Sequence, residues 1–296
     1  MKRELINNIE EYFLNFGYEE GDRAFLSGEA KKLLDVPENG EVLSDFARRY
    51  IGGELDFKAF LDAAKDAGGR ASVHEYTAVL IFCAAIAPYA LPYFVKAGLG
   101  KSEWYDSMSD LKWKLGECKK VYGVVGVFAG EWFGRFYTAA RVAFGRLQFN
   151  MYASPCDYKS DRFDIKEGDP VVSIHIPSDT RTPFSVEERE RAYARAREFY
   201  KKEFGNGRVI FHCGSWLINP KFNELLPESS NIRSFTNEFE IYEVKEGGAN
   251  NIWRLFYTKD YNGDPSTLPE DTSLMRIYKA HLLAGGTMDV GRGFKY

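Results

Sequence analysis

The sequence predicts an α+β protein of two domains, a helical N-terminal domain followed by a mixed α/β domain with a central β-sheet. Apolar residues recur with helical spacing through the first 143 residues. From Gly145 onwards they alternate or form short β-branched runs between turn residues. We therefore divide the chain into domains 1–143 and 144–296.

Composition narrows the class of protein. A chain of 296 residues with 45% hydrophobic and 28% charged residues is typical of folded globular domains. Its net charge of -4 gives no general attraction to nucleic acid or to an anionic membrane. The four cysteines lack metal-site spacing, and residues 1–11 mix both charges without a signal-peptide apolar core. We expect a cytoplasmic protein with reduced thiols, no metal, and neither a nucleic acid nor a membrane as partner.

Helical spacing predicts a series of helices in the N-terminal domain. Their apolar stripes are Leu5, Ile9, Phe13 and Leu14, then Phe46, Tyr50 and Ile51, then Phe57, Phe60 and Leu61, followed by helices over 102–120 and 124–144. Glycine pairs at 52–53 and 68–69 are placed where helices end. In the last helix Gly126, Gly130 and Gly134 recur every four residues, which predicts close packing of another backbone.

The apolar stretch Thr77–Val95 is long enough to span a membrane. Pro88 and Pro92 interrupt it, and Ala dominates its composition. Because proline breaks a helix interior, we expect a buried helix that ends near Pro88, and a membrane span is the weaker alternative.

In the C-terminal domain, alternation predicts strands and charge patterning predicts helices. The expected elements are a strand over 146–152 paired by 163–165, a strand Val171–Ile176, a helix over 185–204, a strand Val209–Cys213, strands over 233–244 and 252–258, and a helix over 272–283. Ser185 begins the first helix with a capping box completed by Glu188.

The strand, helix and strand between residues 171 and 213 predict a βαβ unit, whose two strands are parallel. Their carboxyl ends then meet at one edge, where open α/β sheets bind ligands. His175 and His212 stand at these ends and form the candidate site. The alternative is that both are ordinary strand residues that hydrogen-bond to neighbours.

The loop between the first strand and the helix is rich in hydrogen-bond donors. Acidic residues in the first helical turn would repel a diphosphate at the helix N-terminus. Any diphosphate must therefore rely on Ser178, Thr180, Arg181 and Thr182.

Other chemistries are weaker. Strand alternation puts Cys213 on the face opposite His212, and Ser215 lacks a nucleophile-elbow pattern, which disfavours a hydrolase. A zinc site from His175, His212 and His281 would need close convergence and a fourth ligand. His281 lies on the apolar stripe of its helix, which is typical of a core histidine.

Several segments together resemble a known family. They are Gly145-Arg146-Leu147-Gln148-Phe149, His175-Ile176-Pro177, Ser215-Trp216-Leu217, Leu226-Pro227, Ser230-Asn231-Ile232 and residues 280–286 (AHLLAGG). The chain resembles, over its whole length, bacterial acyltransferase-domain proteins with a helical N-acyltransferase N-terminal domain and a GNAT-like C-terminal domain. The usual Arg/Gln-x-x-Gly-x-Gly/Ala phosphate loop is replaced by residues 177–182 (PSDTRT).

The resemblance implies an N-acyltransferase that moves an acyl group from acyl-CoA, or a related thioester, to a small-molecule amine by direct attack. We expect His212 or His175 to be the catalytic base. Ser215, Trp216 and Asn219 are expected to bind the acceptor. A non-catalytic small-molecule sensor on the same fold is the alternative function.

Overall fold

The computed structural model describes residues 2–179, 181–205, 207–246 and 251–296. The chain forms two compact units, Met1–Ala143 and Phe144–Tyr296. The first is helical and the second contains a mixed β-sheet with helices, which confirms the predicted fold class.

The first unit consists of short helices. They are α1 (Lys2–Asn15), α2 (Glu20–Asp35), α3 (Pro37–Ile51), α4 (Phe57–Ala71), α5 (Glu75–Ile86), α6 (Leu91–Lys96), α7 (Lys101–Met108), α8 (Asp110–Tyr122) and α9 (Gly134–Tyr137). The helix predicted over 102–120 is divided at Ser109 into α7 and α8. Gly52 ends α3 as predicted, but the 68–69 pair lies inside α4, where Gly68 fits against the Val73 carbonyl oxygen.

The apolar stretch forms the centre of this unit. Every residue of α5 from Thr77 to Ile86 is buried, and a 3₁₀ turn that contains Pro88 separates α5 from α6. The predicted break near Pro88 is therefore confirmed, although Val95 at the end of α6 is exposed. Glu75–Lys96 is long and apolar enough to cross a membrane by length and composition, and most of it is buried inside the protein.

The helix predicted over 124–144 is wrong, because the segment forms a 3₁₀ turn, the short α9 and, at its end, strand β1 (Val142–Phe144). The three glycines nevertheless face close neighbours. A Cβ at Gly126 would collide with the backbone of Tyr76, and one at Gly134 would press on the Phe57 ring. The segment therefore needs glycine at these positions so that it can pack closely against its neighbours, and it does so without forming the predicted helix.

The second unit is built on a six-stranded sheet in the order β1-β2-β5-β6-β8-β7. Its elements are β1 (Val142–Phe144), β2 (Leu147–Ala153), β3 (Tyr158–Lys159), β4 (Asp164–Ile165), β5 (Pro170–His175), α10 (Val186–Tyr200), β6 (Phe211–Ser215), α11 (Pro220–Asn223), α12 (Asn231–Thr236), β7 (Glu240–Lys245), α13 (Ile252–Phe256), α14 (Ser273–Leu283) and β8 (Val290–Lys295). β3 and β4 form a separate two-stranded sheet.

Three strand predictions in this unit are wrong. Residues 163–165 pair with β3 and not with β2. The segment over 233–244 begins as α12, whose N-terminus the Ser230 hydroxyl caps, and only its end forms β7. The segment over 252–258 forms α13, since Ile252, Leu255 and Phe256 bury one face at helical spacing.

The βαβ prediction is confirmed. β5 and β6 are adjacent and parallel, and α10 connects them with Ser185 as its N-cap. The parallel ladder contains only two residue pairs, Val172 with Phe211 and Ser173 with His212. Beyond them β5 continues to His175 and β6 to Ser215 without pairing to each other, and we call these unpaired carboxyl ends the fork.

The two faces of the sheet have different cores. On one face Tyr193 of α10 packs against Phe149 and Phe211. On the other face β3 and β4 contribute Phe163 and Ile165 to a buried cluster with Val171 and Phe294. The alternation of side chains along β5 and β6 places both histidines on the same one of these two faces.

A buried ionic network lies on the α10 side. The Arg189 guanidinium is fully buried and donates to Glu238 Oε1 from Nε and Nη2, at 2.9 and 2.7 Å. Glu238 Oε2 also accepts from the Tyr193 hydroxyl and from Lys295 Nζ. Arg189 Nη1 donates to the Phe184 carbonyl at 2.8 Å, which fixes the loop that precedes α10.

Gly291 allows β8 to pass close to the turn after β6. A Cβ at this position would collide with the carbonyl oxygen of Ile218. We expect Gly291→Ala to lower the free energy of unfolding by about 1–3 kcal/mol, because neither backbone segment can yield freely. Gly214→Ala is the control, since its Cβ would meet only the Arg292 side chain at 3.7 Å. Equal stability of the two variants in urea unfolding would contradict this reading of the turn.

Candidate functional site

The two histidines lie on the same face of the sheet, at the fork. His212 is paired with Ser173, and His175 follows Ser173 by two residues, so both side chains share a face. The rise per residue along a strand and the distance between neighbouring strands together put their Cα atoms about 8 Å or more apart. His212 does not end its strand as predicted, because Gly214 and Ser215 continue β6 by pairing with β8. It lies instead at the last pair before the strands part.

His175 is half-buried and its ring is held by an amide. Its Nε2 lies 2.8 Å from Oδ1 of Asn150, a buried residue on the neighbouring strand β2. Asn150 Nδ2 in turn donates to the carbonyl oxygen of Met151 at 2.9 Å. The second bond orients the amide, so it is the amide oxygen that faces the imidazole.

His212 is almost fully buried among aromatic rings. Tyr152 stacks on it at 6.0 Å between ring centroids, and Phe294 lies at 5.2 Å. Its Nε2 lies 3.1 Å from the Tyr242 hydroxyl. Burial, together with the positive charge of Arg292, lowers the pKa of His212 to about 4. His212 is therefore neutral at physiological pH.

This shift predicts a pH-dependent stability. Because the folded-state pKa lies below the reference of about 6.5, protonation favours the unfolded chain. The contribution of His212, about 3 kcal/mol, should be complete above pH ~6.5 and be lost as the pH falls towards ~4. We expect the free energy of unfolding, measured across this pH range, to change less steeply with pH in His212→Gln than in the wild type. Identical slopes would contradict the depressed pKa.

The loop after β5 carries a compact group of charges. Asp179 is buried and accepts from the backbone N–H of Arg181 at 2.7 Å, with the Arg181 Nε at 3.5 Å. Buried Arg146, immediately before β2, donates from Nη1 to the Pro177 carbonyl at 2.8 Å. Thr182 is half-buried and the Arg181 side chain is exposed. Thr180 lies outside the described residues. The backbone N–H of Arg181, which could otherwise donate to a diphosphate, thus donates to Asp179 in this structure.

The residues expected to bind the acceptor mostly build the turn after β6. The Ser215 hydroxyl accepts from Leu217 N and caps a 3₁₀ turn, and Asn219 Oδ1 accepts from Lys221 N and caps α11. Asn219 is buried, whereas Trp216 is half-buried and packs edge-on against Tyr278. Of the three, Ser215 and Trp216 retain exposed surface for a ligand.

The alternative chemistries find little support. Cys213 is buried on the face opposite His212, and burial raises the pKa of its thiol to about 12. His281 is half-buried on α14 with its Nε2 3.3 Å from the Thr287 carbonyl oxygen. In the described part of the chain, no group of three His, Cys, Asp or Glu side chains is arranged to hold a metal ion.

Sequence reasoning missed the contacts of four residues: Asn150, Tyr242 and Arg292, which act on the histidines, and Arg146, which binds the loop after β5. Asn150 alternates with the apolar residues of β2 and Tyr242 with charged residues of β7, so each looks like an ordinary outward-facing strand residue. Only the strand order brings them to His175 and His212. The Gly145–Phe149 motif did include Arg146, but gave no indication of its contact with Pro177.

Comparison with family models gives two matches. The model of the N-acyltransferase N-terminal domain matches residues 7–139. The model of the GNAT-like C-terminal domain matches residues 142–295, just over half of the chain. These matches confirm the resemblance seen in the sequence. No curated protein matches the chain.

Solved structures with the same fold include acyltransferases. A mutant acyltransferase in complex with octanoyl-CoA is 19% identical, with 96% of this chain and 85% of that chain covered at a TM-score of 0.73. An acyltransferase in complex with decanoyl-CoA is 18% identical over 97% and 98% of the two chains, at 0.65. A complex with decanoyl-CoA and teicoplanin is 19% identical over the same shares, at 0.64. At these identities the likeness shows the fold.

Proposed function

Since the chain belongs to the family of the GNAT-like C-terminal domain, we propose that it is an acyltransferase that uses acyl-CoA as donor and a small-molecule amine as acceptor. One observation carries this proposal: the parallel ladder of β5 and β6 ends after two pairs, with two histidines on one face of the fork. A fork between parallel strands exposes backbone amides, which can bind an extended chain and polarise a thioester carbonyl.

The donor is supported by the solved relatives and by the loop after β5. Relatives of the same fold were solved with octanoyl-CoA and decanoyl-CoA. In this chain Arg181 extends an exposed guanidinium from that loop, and Ser178 and Thr182 add hydroxyls. Together they would bind the diphosphate of CoA, with Arg146 holding the loop through Pro177.

The reaction requires a single proton transfer to the protein. The neutral amine nitrogen attacks the thioester carbonyl carbon, and its proton passes to a histidine as the C–N bond forms. Collapse of the adduct breaks the C–S bond and expels the CoA thiolate, and the proton held by the histidine passes to this thiolate through solvent, which restores the neutral base. The products are an amide and free CoA, without a covalent acyl-enzyme.

Of the two histidines, we assign the base to His175. A base must carry the positive charge as it accepts the proton, and the Asn150 oxygen stabilises a protonated His175. His212 is buried beside Arg292, so its protonation is opposed. His212 is then a neutral, buried ring that packs at the fork and takes no part in proton transfer.

The acceptor would lie against the turn after β6. Trp216 offers aromatic surface there, and Asn219 fixes the turn as a helix cap. Strand alternation puts the Ser215 side chain on the face of Cys213, so that Ser215 contributes to the turn rather than to the face of the histidines. One relative of the same fold was solved with teicoplanin, which supports a small-molecule acceptor.

Two measurements test the proposal. Octanoyl-CoA at one hundred times its dissociation constant should stabilise the protein by about 2.7 kcal/mol in thermal unfolding, whereas octanoic acid should not. A panel of primary amines with octanoyl-CoA should then release free CoA thiol and yield amides detectable by mass spectrometry. Stabilisation without turnover across the panel would favour the sensor alternative, and the absence of both effects would contradict acyl-CoA as the donor.

A further inference from the structure

We propose that Asn150 is a positioning residue that fixes the tautomer of His175 and thereby makes Nδ1 the basic atom. This inference rests on the proposed role of His175 as base. Asn150 lies on β2, and its partner in the ladder is Ser173, two residues before His175 on the same face. The distance between Asn150 Oδ1 and His175 Nε2 is 2.8 Å.

The direction of this hydrogen bond follows from chemistry. An amide oxygen can only accept, so His175 Nε2 must carry the hydrogen that it donates. The amide cannot be reversed at no cost, because its Nδ2 donates to the Met151 carbonyl and a reversed amide would place two oxygens together. A neutral His175 therefore has its lone pair on Nδ1.

The second histidine lacks such a constraint. His212 Nε2 faces the Tyr242 hydroxyl, which can donate or accept. Its tautomer is therefore not determined by this partner. The two histidines differ in this respect as well as in burial, and only His175 has a lone pair assigned to one nitrogen by its neighbour.

The position of Asn150 keeps its side chain in a fixed place beside His175. Its side chain is buried, with the residue only 2% exposed, and it lies within a regular strand. When His175 accepts a proton, the bond from Nε2–H to the amide oxygen becomes charge-assisted and stronger. Asn150 thus favours the same protonated state that the reaction requires, without touching the substrate.

Three variants of the full chain test the inference. Asn150→Leu removes the acceptor at similar volume, Asn150→Asp keeps an acceptor in place, and Asn223→Leu removes another buried amide of the same unit as the matched control. Nitrogen-15 NMR of labelled histidine reports the tautomer of His175 directly, and circular dichroism verifies folding of each variant.

We expect the Nε2–H tautomer in the wild type, in Asn150→Asp and in Asn223→Leu, and a mixture in Asn150→Leu. Turnover of Asn150→Leu should fall about tenfold or more, as for outer partners of metal-bound histidines, while Asn150→Asp keeps most of it. An unchanged tautomer in Asn150→Leu, or a changed tautomer with full turnover, overturns the inference. A wild type without acyl transfer but with the expected tautomer response overturns the proposed function and leaves the tautomer assignment standing.

Discussion

Replacing His175 by alanine should lower the turnover of acyl transfer by about a hundredfold or more, the usual contribution of a positioned general base. The dissociation constant for acyl-CoA should change little, because His175 acts on the acceptor proton and not on the donor. Rates of CoA release at saturating octanoyl-CoA, together with thermal shifts by the same donor, separate these two effects.

His212→Ala provides the comparison within the same fork. It deletes a neutral ring packed between Tyr152 and Phe294, so it should lower the free energy of unfolding. Turnover per folded molecule should remain within a few-fold of the wild type. If His212→Ala loses a hundredfold and His175→Ala stays active, the base is His212 and our assignment is reversed.

Glu238→Ala should cost about 3–5 kcal/mol of the free energy of unfolding of the second unit. The change leaves the fully buried Arg189 guanidinium without its counter-charge, and also removes the acceptor of Tyr193 and Lys295. Urea unfolding of the wild type and the variant measures the loss.

An exposed ion pair of the same chain serves as the control. Asp62→Ala removes the Asp62–Lys58 pair, whose side chains are about 52% and 79% exposed, and should leave the urea midpoint nearly unchanged because solvent screens the pair. The double variant Arg189→Met, Glu238→Leu should regain part of the stability, since it leaves no unpaired arginine. A Glu238→Ala protein as stable as Asp62→Ala would show that the network is not desolvated.

The fold was predictable where periodicity and length agree. The run Val171–Ile176 and the charged helix begun by Ser185 leave few other arrangements than a βαβ unit. Prediction was wrong over 233–239 and 252–258, because aromatic and β-branched residues suit both strands and helices in short segments. There the Ser230 cap and the spacing of Ile252, Leu255 and Phe256 decide for helices.

For the candidate site, the sequence predicts that the two histidines lie near the carboxyl ends of parallel strands, but it does not predict which side chains contact them. Strand order alone brings Asn150 to His175 and Tyr242 to His212, across 25 and 30 residues of sequence. Neither pair leaves a local pattern. The loop expected to bind a diphosphate lies between β5 and α10, and the charge interaction of its Asp179 with Arg146, which precedes β2, leaves no local pattern in the sequence either.

The place of β8 in the sheet also has a consequence for folding kinetics. β8 lies between β6 and β7, although it follows both in the chain, and its Lys295 pairs with Phe211. The fork strand β6 thus gains its second neighbour only through contacts of high sequence separation. Such contacts slow folding, because a long loop must close before they form. During synthesis on a ribosome, β8 emerges after β6, so we expect one edge of β6 to stay unpaired in that interval, and an unpaired strand edge can associate with other chains.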